Sequence, residues 1–436
     1  MSNYDAIIVG SGPNGLAAAI TLAQAGSKVL VLEAKDTIGG GTRTAEITLP
    51  GFRHDICSAI HPLGIASPFF GDLPLADFGL EWIHPPVALA HPMDDGREAI
   101  LTQSIEESAA SLGMDSRAYQ RLLTPLVESW QAILADTLGP LPFPPKHPLK
   151  LACFGLLALR SARGLSESRF QDDMARALFA GLAGHGMLPL EEPTTASIAL
   201  VLGLLAHTVG WPIPKGGSQA ISNAMAAYLE SLDGEIVTNH EVTSLDALPE
   251  SKSVLLDVTP RQMIQICGKR LPTSYRRQLA KYRYGPGVCK VDYALSAPIP
   301  WKAPSCNQAG TIHLGGTLDE ISMSEKAIWR GEHSDKPLVL LAQQSLFDDS
   351  RAPDGGHTAW AYCHVPHGSQ QDVSENITAQ IERFAPGFRA LVLAKHVYTA
   401  TEMQSYNPNY IGGDINGGVQ DWRQLFTRPV ARWSPY

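Results

Sequence analysis

Residues 4–44 read YDAIIVGSGPNGLAAAITLAQAGSKVLVLEAKDTIGGGTRT, and the order of chemical types in that stretch decides the fold. Residues 6–9 form an apolar run of the kind that makes a buried parallel strand. Gly10 permits the tight turn that follows. Gly12 removes a side chain where a pyrophosphate would approach the backbone, and Gly15 lets the next helix pack on the strand. Residues 16–25 are rich in Ala and Leu and predict that helix, with Gly26 at its C-terminal end. Residues 28–32, KVLVL, predict a second strand. Glu33 ends it, where a carboxylate accepts hydrogen bonds from ribose hydroxyls and repels a 2′-phosphate. Strand, loop, helix, strand and acid in this order predict an adenine dinucleotide site that disfavours NADP.

A second glycine loop, Gly39 to Gly41, follows within ten residues of Glu33. Each glycine costs backbone entropy on folding, and a nicotinamide domain has no use for a second close approach here. FAD is longer, and its pyrophosphate and ribityl chain extend past the first strand–helix–strand unit. The second loop therefore points to FAD, with Arg43 placed to offset phosphate charge. A plain surface turn carrying a solvated arginine is the competing reading.

The stretch resembles the start of the phytoene desaturase-related FAD oxidoreductases, within the amine oxidase and glutathione reductase-like flavoproteins. GFRHDICSAIHPL from Gly51, GHGMLPL from Gly184, HTVGWPIPKGGSQAI from His207, YGPGVCKVDYALSAPIPW from Tyr284 and TIHLGGTLDEI from Thr311 extend the resemblance along the chain. They are similar to the branch typified by pyridine nucleotide-disulfide oxidoreductase domain-containing protein 2. The resemblance implies an α/β fold, a Rossmann-like FAD/NAD(P)-binding domain with an inserted α+β substrate domain. It implies FAD contacts from Gly10, Gly12, Pro13, Asn14 and Gly15, from Glu33 and Ala34, from Gly40, Gly41, Thr42 and Arg43, and from the backbone of Val242 on the adenine side.

The 436 residues exceed one ordinary core, so two domains are expected. Residues 1–70 and 209–283 are assigned to a discontinuous FAD-binding domain. Residues 71–208 are assigned to the helical half of the substrate domain and 284–436 to its sheet half. Residues 104–138 have helical spacing, and GPLPFPPKHP from Gly139 interrupts it. A helix is expected over 218–232, extended strands in EIVTNHEVTSL from Glu235, and a buried strand in SVLLDVTP from Ser253.

The net charge is −9 and no basic run stands out, which argues against a nucleic-acid partner. The six cysteines, at 57, 153, 267, 289, 306 and 363, are scattered. They supply neither a redox dithiol nor a zinc cluster, no metal is expected, and they read as buried thiols of a reduced, cytoplasmic protein. No signal or transit segment precedes the first strand. LKLACFGLLALRSARGL from Leu149 and ASIALVLGLLAHTVGW from Ala196 are too short to span a bilayer. They read as two buried helices. The alternative is an interfacial helix, a peripheral membrane contact with Lys150, Arg160 and Arg163 at headgroup level.

The resemblance implies an oxidoreductase, dehydrogenase- or desaturase-like, passing a hydride from an apolar small molecule to flavin N5. A flavin amine oxidase is the first alternative, and the electron acceptor, catalytic residues and oligomeric state have no sequence signature. His61, His185 and His207 read as structural hydrogen-bonding histidines, and Trp211 and Trp301 as packing residues. Relatives continue beyond RPVARWSPY with a strand, a glycine-rich loop and a helix against the flavin. Ending at Tyr436 predicts an open flavin site with weak FAD and little turnover, or a non-enzymatic scaffold acting through protein contacts. YIGGDINGG from Tyr410 lacks the flanking strand and helix of a replacement and reads as a loop.

Overall fold

The computed structural model describes residues 4–138 and 144–430. The first strand, Tyr4–Val9, carries Ile7 and Ile8 fully buried, one into each of the two apolar layers flanking it. It pairs in parallel with Val29–Leu32 on one side and with Ser251–Leu256 on the other, and Glu235–Val237 pairs in parallel with Val29–Leu32. The helix Pro13–Gln24 connects the first two strands. Pro13 suits its first turn, where a backbone N–H would have no intrahelical acceptor. Gly15 is obligatory there: a Cβ would lie 2.1 Å from the carbonyl oxygen of Gly10. Gly10 itself has φ +105°, in the region that favours glycine.

A second sheet has seven strands in the order Val392–Tyr398, Gly287–Leu295, His357–Val365, Val339–Ala342, Ala309–Leu314, Val87–Pro92, Glu98–Leu101. All neighbours are antiparallel except Ala309–Leu314 with Val87–Pro92. Gly287–Leu295 is buried along its whole length. Cys289, Val291, Tyr293 and Leu295 enter one core, packed under the helix Ser374–Phe384. Val288 enters the other core, which includes the helices Asp173–Gly184 and Thr195–Thr208. Lys290 and Asp292 alternate onto that same face.

Several expectations require correction. The span 71–208 is not helical throughout, because Trp82–Ile83, Val87–Pro92 and Glu98–Leu101 are strands and the last two enlarge the big sheet. EIVTNHEVTSL contributes only Glu235–Val237. SVLLDVTP does supply a strand, yet it lies at an edge with Lys252, Ser253 and Val254 exposed. The expected helix over 218–232 is present as Gln219–Ser231. Of the two apolar stretches, Thr195–Thr208 is a core helix, whereas Pro148–Ala158 turns most of its apolar surface outward. Cys153 lies on that helix and is exposed; the other five cysteines are buried. Part of the proline-rich connection, residues 139–143, and the end of RPVARWSPY from residue 431 lie outside the described residues. YIGGDINGG is a loop: Ile411–Gly413 forms one tight turn, and Asp414 accepts the N–H of Gly285 at 2.6 Å.

Candidate functional site

The two glycine loops touch. A Cβ on Gly40 would come 3.2 Å from the Cα of Gly12. Together they form one wall of a cleft of about 550 Å³, within the size range of cofactor sites. Gly10, Gly12, Pro13, Asn14, Glu33, Ala34, Gly40, Gly41, Arg43 and Val242 all line it. Gly15 and Thr42 do not. Gly15 acts in helix packing, and the Thr42 hydroxyl is tied to Gly39 O at 2.8 Å and Ser222 Oγ at 2.5 Å. Thr42 lines a second cleft of about 320 Å³, with Phe70, Trp82, Ile221, His61 and Gly64. Pro13, Gly41 and Tyr410 border both clefts.

Glu33 and Arg43 differ from expectation. Arg43 lines the cleft but is already paired: its Nη2 lies 3.0 Å from Glu33 Oε1, and both side chains are buried. Its Nε donates to Thr37 O at 2.9 Å. Glu33 also accepts from the Ser11 N–H at 3.0 Å, the Ser11 hydroxyl at 2.6 Å and the Lys35 N–H at 2.9 Å. The carboxylate thus ties both loops together. A ribose hydroxyl reaching it must take the place of one of these donors, and the Ser11 hydroxyl is the one able to rotate away.

The first turn of a helix leaves backbone N–H groups for an anion. Here one is taken. Asp257 Oδ2 accepts the Gly15 N–H at 2.9 Å and would lie 3.3 Å from a Cβ on Gly12. Burial pushes the Asp257 carboxyl above its ordinary range, and Glu33 adds to the shift against the Gly15 hydrogen bond. The glycine cradle fits a dinucleotide pyrophosphate, and the Asp257 carboxyl beside Gly12 and Gly15 opposes its charge.

The segment 405–410 closes over the second loop. Tyr406 OH donates to Gly40 O at 2.9 Å, and its ring stands 5.5 Å from the Arg43 guanidinium. The Tyr410 hydroxyl would lie 2.3 Å from a Cβ on Gly41. Tyr410 also hydrogen-bonds Cys57. Behind that thiol lies a buried charged cluster. Lys290 pairs with Asp292, and both are buried. Across the strands, Lys290 sits between Tyr362 and Tyr398, and Asp292 between Trp360 and His396. Burial lowers the Lys290 ammonium and lifts Asp292 to about 6, each against the attraction of the other. His54 Nδ1 approaches Asp292 at 3.6 Å, and burial drops its imidazole to about 3, so it is neutral at physiological pH.

Asp55, from GFRHDICSAIHPL, joins the parts. It receives Arg351 Nη2 at 2.7 Å, Ser218 N at 2.7 Å, Thr44 Oγ1 at 2.7 Å and Gln344 Nε2 at 3.3 Å. Arg351 and Asp55 are both fully buried. The motif histidines all have partners: His61 with Ser218 at 2.8 Å, His185 with His313 at 3.1 Å, His207 with Tyr119 at 2.6 Å. Burial lowers them to about 4, 3 and 4 respectively. Trp211 and Trp301 are buried, with their ring N–H groups bonded to Leu202 O and Gln343 Oε1. Among the described residues no group of three or more His, Cys, Asp or Glu could hold a metal ion.

A family model for NAD(P)-binding Rossmann-like domains matches residues 8–71. The chain is 24% identical to pyridine nucleotide-disulfide oxidoreductase domain-containing protein 2 of Rattus norvegicus, covering 99% of this chain and 87% of that protein. It is 25% identical to phytoene dehydrogenase of Streptomyces griseus, over 83% of this chain and 73% of that one. Cyclohexylamine oxidase from Brevibacterium oxydans superposes with a TM-score of 0.58 at 16% identity, covering 98% of this chain and 91% of the oxidase. The fold is that of this amine oxidase. The likeness to the rat protein runs almost end to end, as the motifs from Gly10 to Thr311 imply.

Sequence reasoning missed Lys290, Asp292, Asp257, Tyr406 and Tyr410. KVDYAL alternates charge into a strand buried on both faces, and that was the available signal. Asp257 ends a strand beside the first loop, where a neutral residue would cost less. Tyr406 and Tyr410 carry no local signal.

Proposed function

We propose that the chain is an FAD-dependent oxidoreductase that takes a hydride from an apolar organic substrate. The observation that carries this reading is the contact between the two glycine loops, which makes a single cradle longer than one nucleotide needs. The backbones of Gly12, Asn14, Gly40 and Gly41 would hold the pyrophosphate and the chain beyond it, and Val242 the adenine side. When bound, FAD supplies the two-electron acceptor. Phe70, Trp82 and Ile221 in the adjoining cleft support an apolar substrate. Tyr410 stands between the clefts and hydrogen-bonds Cys57, whose thiol feels the Lys290 charge. That pair is a buried, shifted acid–base couple of the kind found at reacting centres.

The test is to titrate FAD into the protein, record its visible spectrum, and follow anaerobic bleaching. Bleaching by unsaturated hydrocarbons and not by primary amines supports the reading. Bleaching by amines assigns the amine oxidase alternative, and failure to bind FAD overturns both. Lys290→Met is expected to bind FAD normally and to slow bleaching by roughly 10²-fold, the lower range for loss of a positioned proton-transfer group.

Asp257 makes FAD binding pH-dependent. A pyrophosphate arriving beside this carboxyl raises its pKa further, so binding takes up a proton. Affinity is then greatest below the free-protein pKa of Asp257 and falls as pH rises through it. Asp257→Asn is expected to bind FAD about tenfold more tightly at neutral pH, equivalent to ~1.4 kcal/mol, and to lose most of the pH slope. Isothermal titration at several pH values reads both. Equal affinity and equal slope in the two proteins would show that the carboxylate does not face the pyrophosphate.

A further inference from the structure

The helix Pro148–Ala158 packs through Phe154 and Ala158, which are buried. Its opposite side carries Leu149, 81% exposed, and Leu156, 76% exposed, with Ala152 and Cys153 between them and Leu159, 56% exposed, just past its end. Positions 149, 152, 153 and 156 fall on one side of a helix. The preceding helix, Trp130–Thr137, packs beside it and ends in exposed Leu138. This is an apolar stripe on the outside of the protein, where such patches mark contact sites.

The charges next to it in the sequence are mostly basic. Between residues 129 and 166 the sequence holds one carboxylate, Asp136, against Lys146, Lys150, Arg160 and Arg163. Asp136 is buried and accepts the backbone N–H groups of Lys146 at 3.1 Å and His147 at 2.7 Å. Arg163 is paired with Glu167, Glu191 and Asp319. Lys146 and Lys150 are exposed, and among the described residues neither has a carboxylate within 4 Å. A chain of net charge −9 thus carries two exposed lysines at the border of this apolar stripe.

We propose that this face docks on an anionic lipid bilayer, with the helix lying in the interface plane, the leucines among the acyl chains and Lys146 and Lys150 at the headgroups. An apolar face with lysines at its border is the arrangement that binds such surfaces. The helix has 11 residues and cannot cross a bilayer. A second copy fits less well. Three leucines and two small residues fall short of the roughly 800 Å² per partner of a stable interface, and symmetry would bring four unpaired lysines to its rim. Leu134 of the neighbouring helix packs with Ala66. The short helix Pro62–Ala66 carries Gly64 on the wall of the apolar cleft, so the docking face adjoins the elements that hold that cleft.

The experiment is cosedimentation of the full chain with vesicles of phosphatidylcholine alone and of phosphatidylcholine containing roughly a third phosphatidylglycerol. The bound fraction is expected to be at least about tenfold larger on the anionic vesicles and to fall with added salt. Leu149→Glu/Leu156→Glu should abolish binding on both. Lys146→Glu/Lys150→Glu should remove the preference for anionic lipid. Both pairs are exposed, and an unchanged melting temperature verifies the fold. Absence of binding by the parent, or equal binding by the leucine variant, overturns the proposal. So does a parent dimer that the leucine variant converts to monomer, which would assign the face to a second copy.

Discussion

Gly12→Val is expected to abolish FAD retention while leaving the protein folded. Gly12 has φ −65°, a backbone any residue adopts, so the substitution brings no conformational strain. Its side chain enters the cleft, meeting Asp257 Oδ2 at 3.3 Å and the space between the two loops. The pyrophosphate then loses its close approach to the backbone. Gly15→Ala is the contrasting variant. Its Cβ would lie 2.1 Å from the Gly10 carbonyl oxygen, a backbone atom that cannot rotate away. Moving the helix off the strand should cost about 1–3 kcal/mol or more. Visible flavin absorbance and thermal melting together separate the two. A Gly12→Val protein that binds FAD like the parent would remove the pyrophosphate from this loop.

Asp55→Ala is expected to destabilise the protein by about 3–5 kcal/mol, because it leaves the fully buried Arg351 without its counter-charge. It also strips an acceptor from the Ser218 N–H and from the Thr44 hydroxyl. Asp55→Asn should be milder, since an amide oxygen still accepts from Ser218. Burial raises the Asp55 carboxyl, yet the Arg351 guanidinium and the hydrogen bonds outweigh it and hold the group below the ordinary carboxylate range. A depressed carboxyl contributes stability that is complete above its unfolded pKa of roughly 3.9 and is lost as pH falls through the folded value. The parent should therefore lose this increment in acid, and Asp55→Ala should show no such loss. Urea midpoints between neutral pH and acid read the difference. Equal midpoints for parent and Asp55→Ala at neutral pH would mean that Arg351 finds another anion.

The exposed face of Pro148–Ala158 shows why apolar content alone misplaces a helix. LKLACFGLLA and ASIALVLGLLAHT are comparably apolar, and both read as core. Thr195–Thr208 is packed by Asp173–Gly184 and five other helices, Pro148–Ala158 among them, whereas Pro148–Ala158 itself is covered on one side only. The number of faces a helix buries depends on how many neighbours reach it, which no period in its own sequence records.

Residues 4–44 by themselves determined the strand, the two loops, the helix between strands and the acid at Glu33. Each of those features depends on neighbours a few residues away: a turn needs φ > 0 at Gly10, and a buried strand needs a short apolar run. The rest came from contacts between residues far apart in the chain. Asp257 reaches Gly15 across 242 positions, Arg351 reaches Asp55 across 296, and Tyr406 reaches Gly40 across 366. The partner of Arg43 is Glu33, only ten positions off, but the turn of the second loop back onto the first brings them together. Charge placement inside the big sheet was decided in the same way. Lys290 and Asp292 are tolerable in a strand buried on both faces because, two positions apart on one face, they pair with each other, while tertiary packing places Tyr362, Tyr398, Trp360 and His396 beside them. A buried charge is stable only where it is paired; for Arg351 that partner, Asp55, lies 296 positions away, and only the folded chain brings it there.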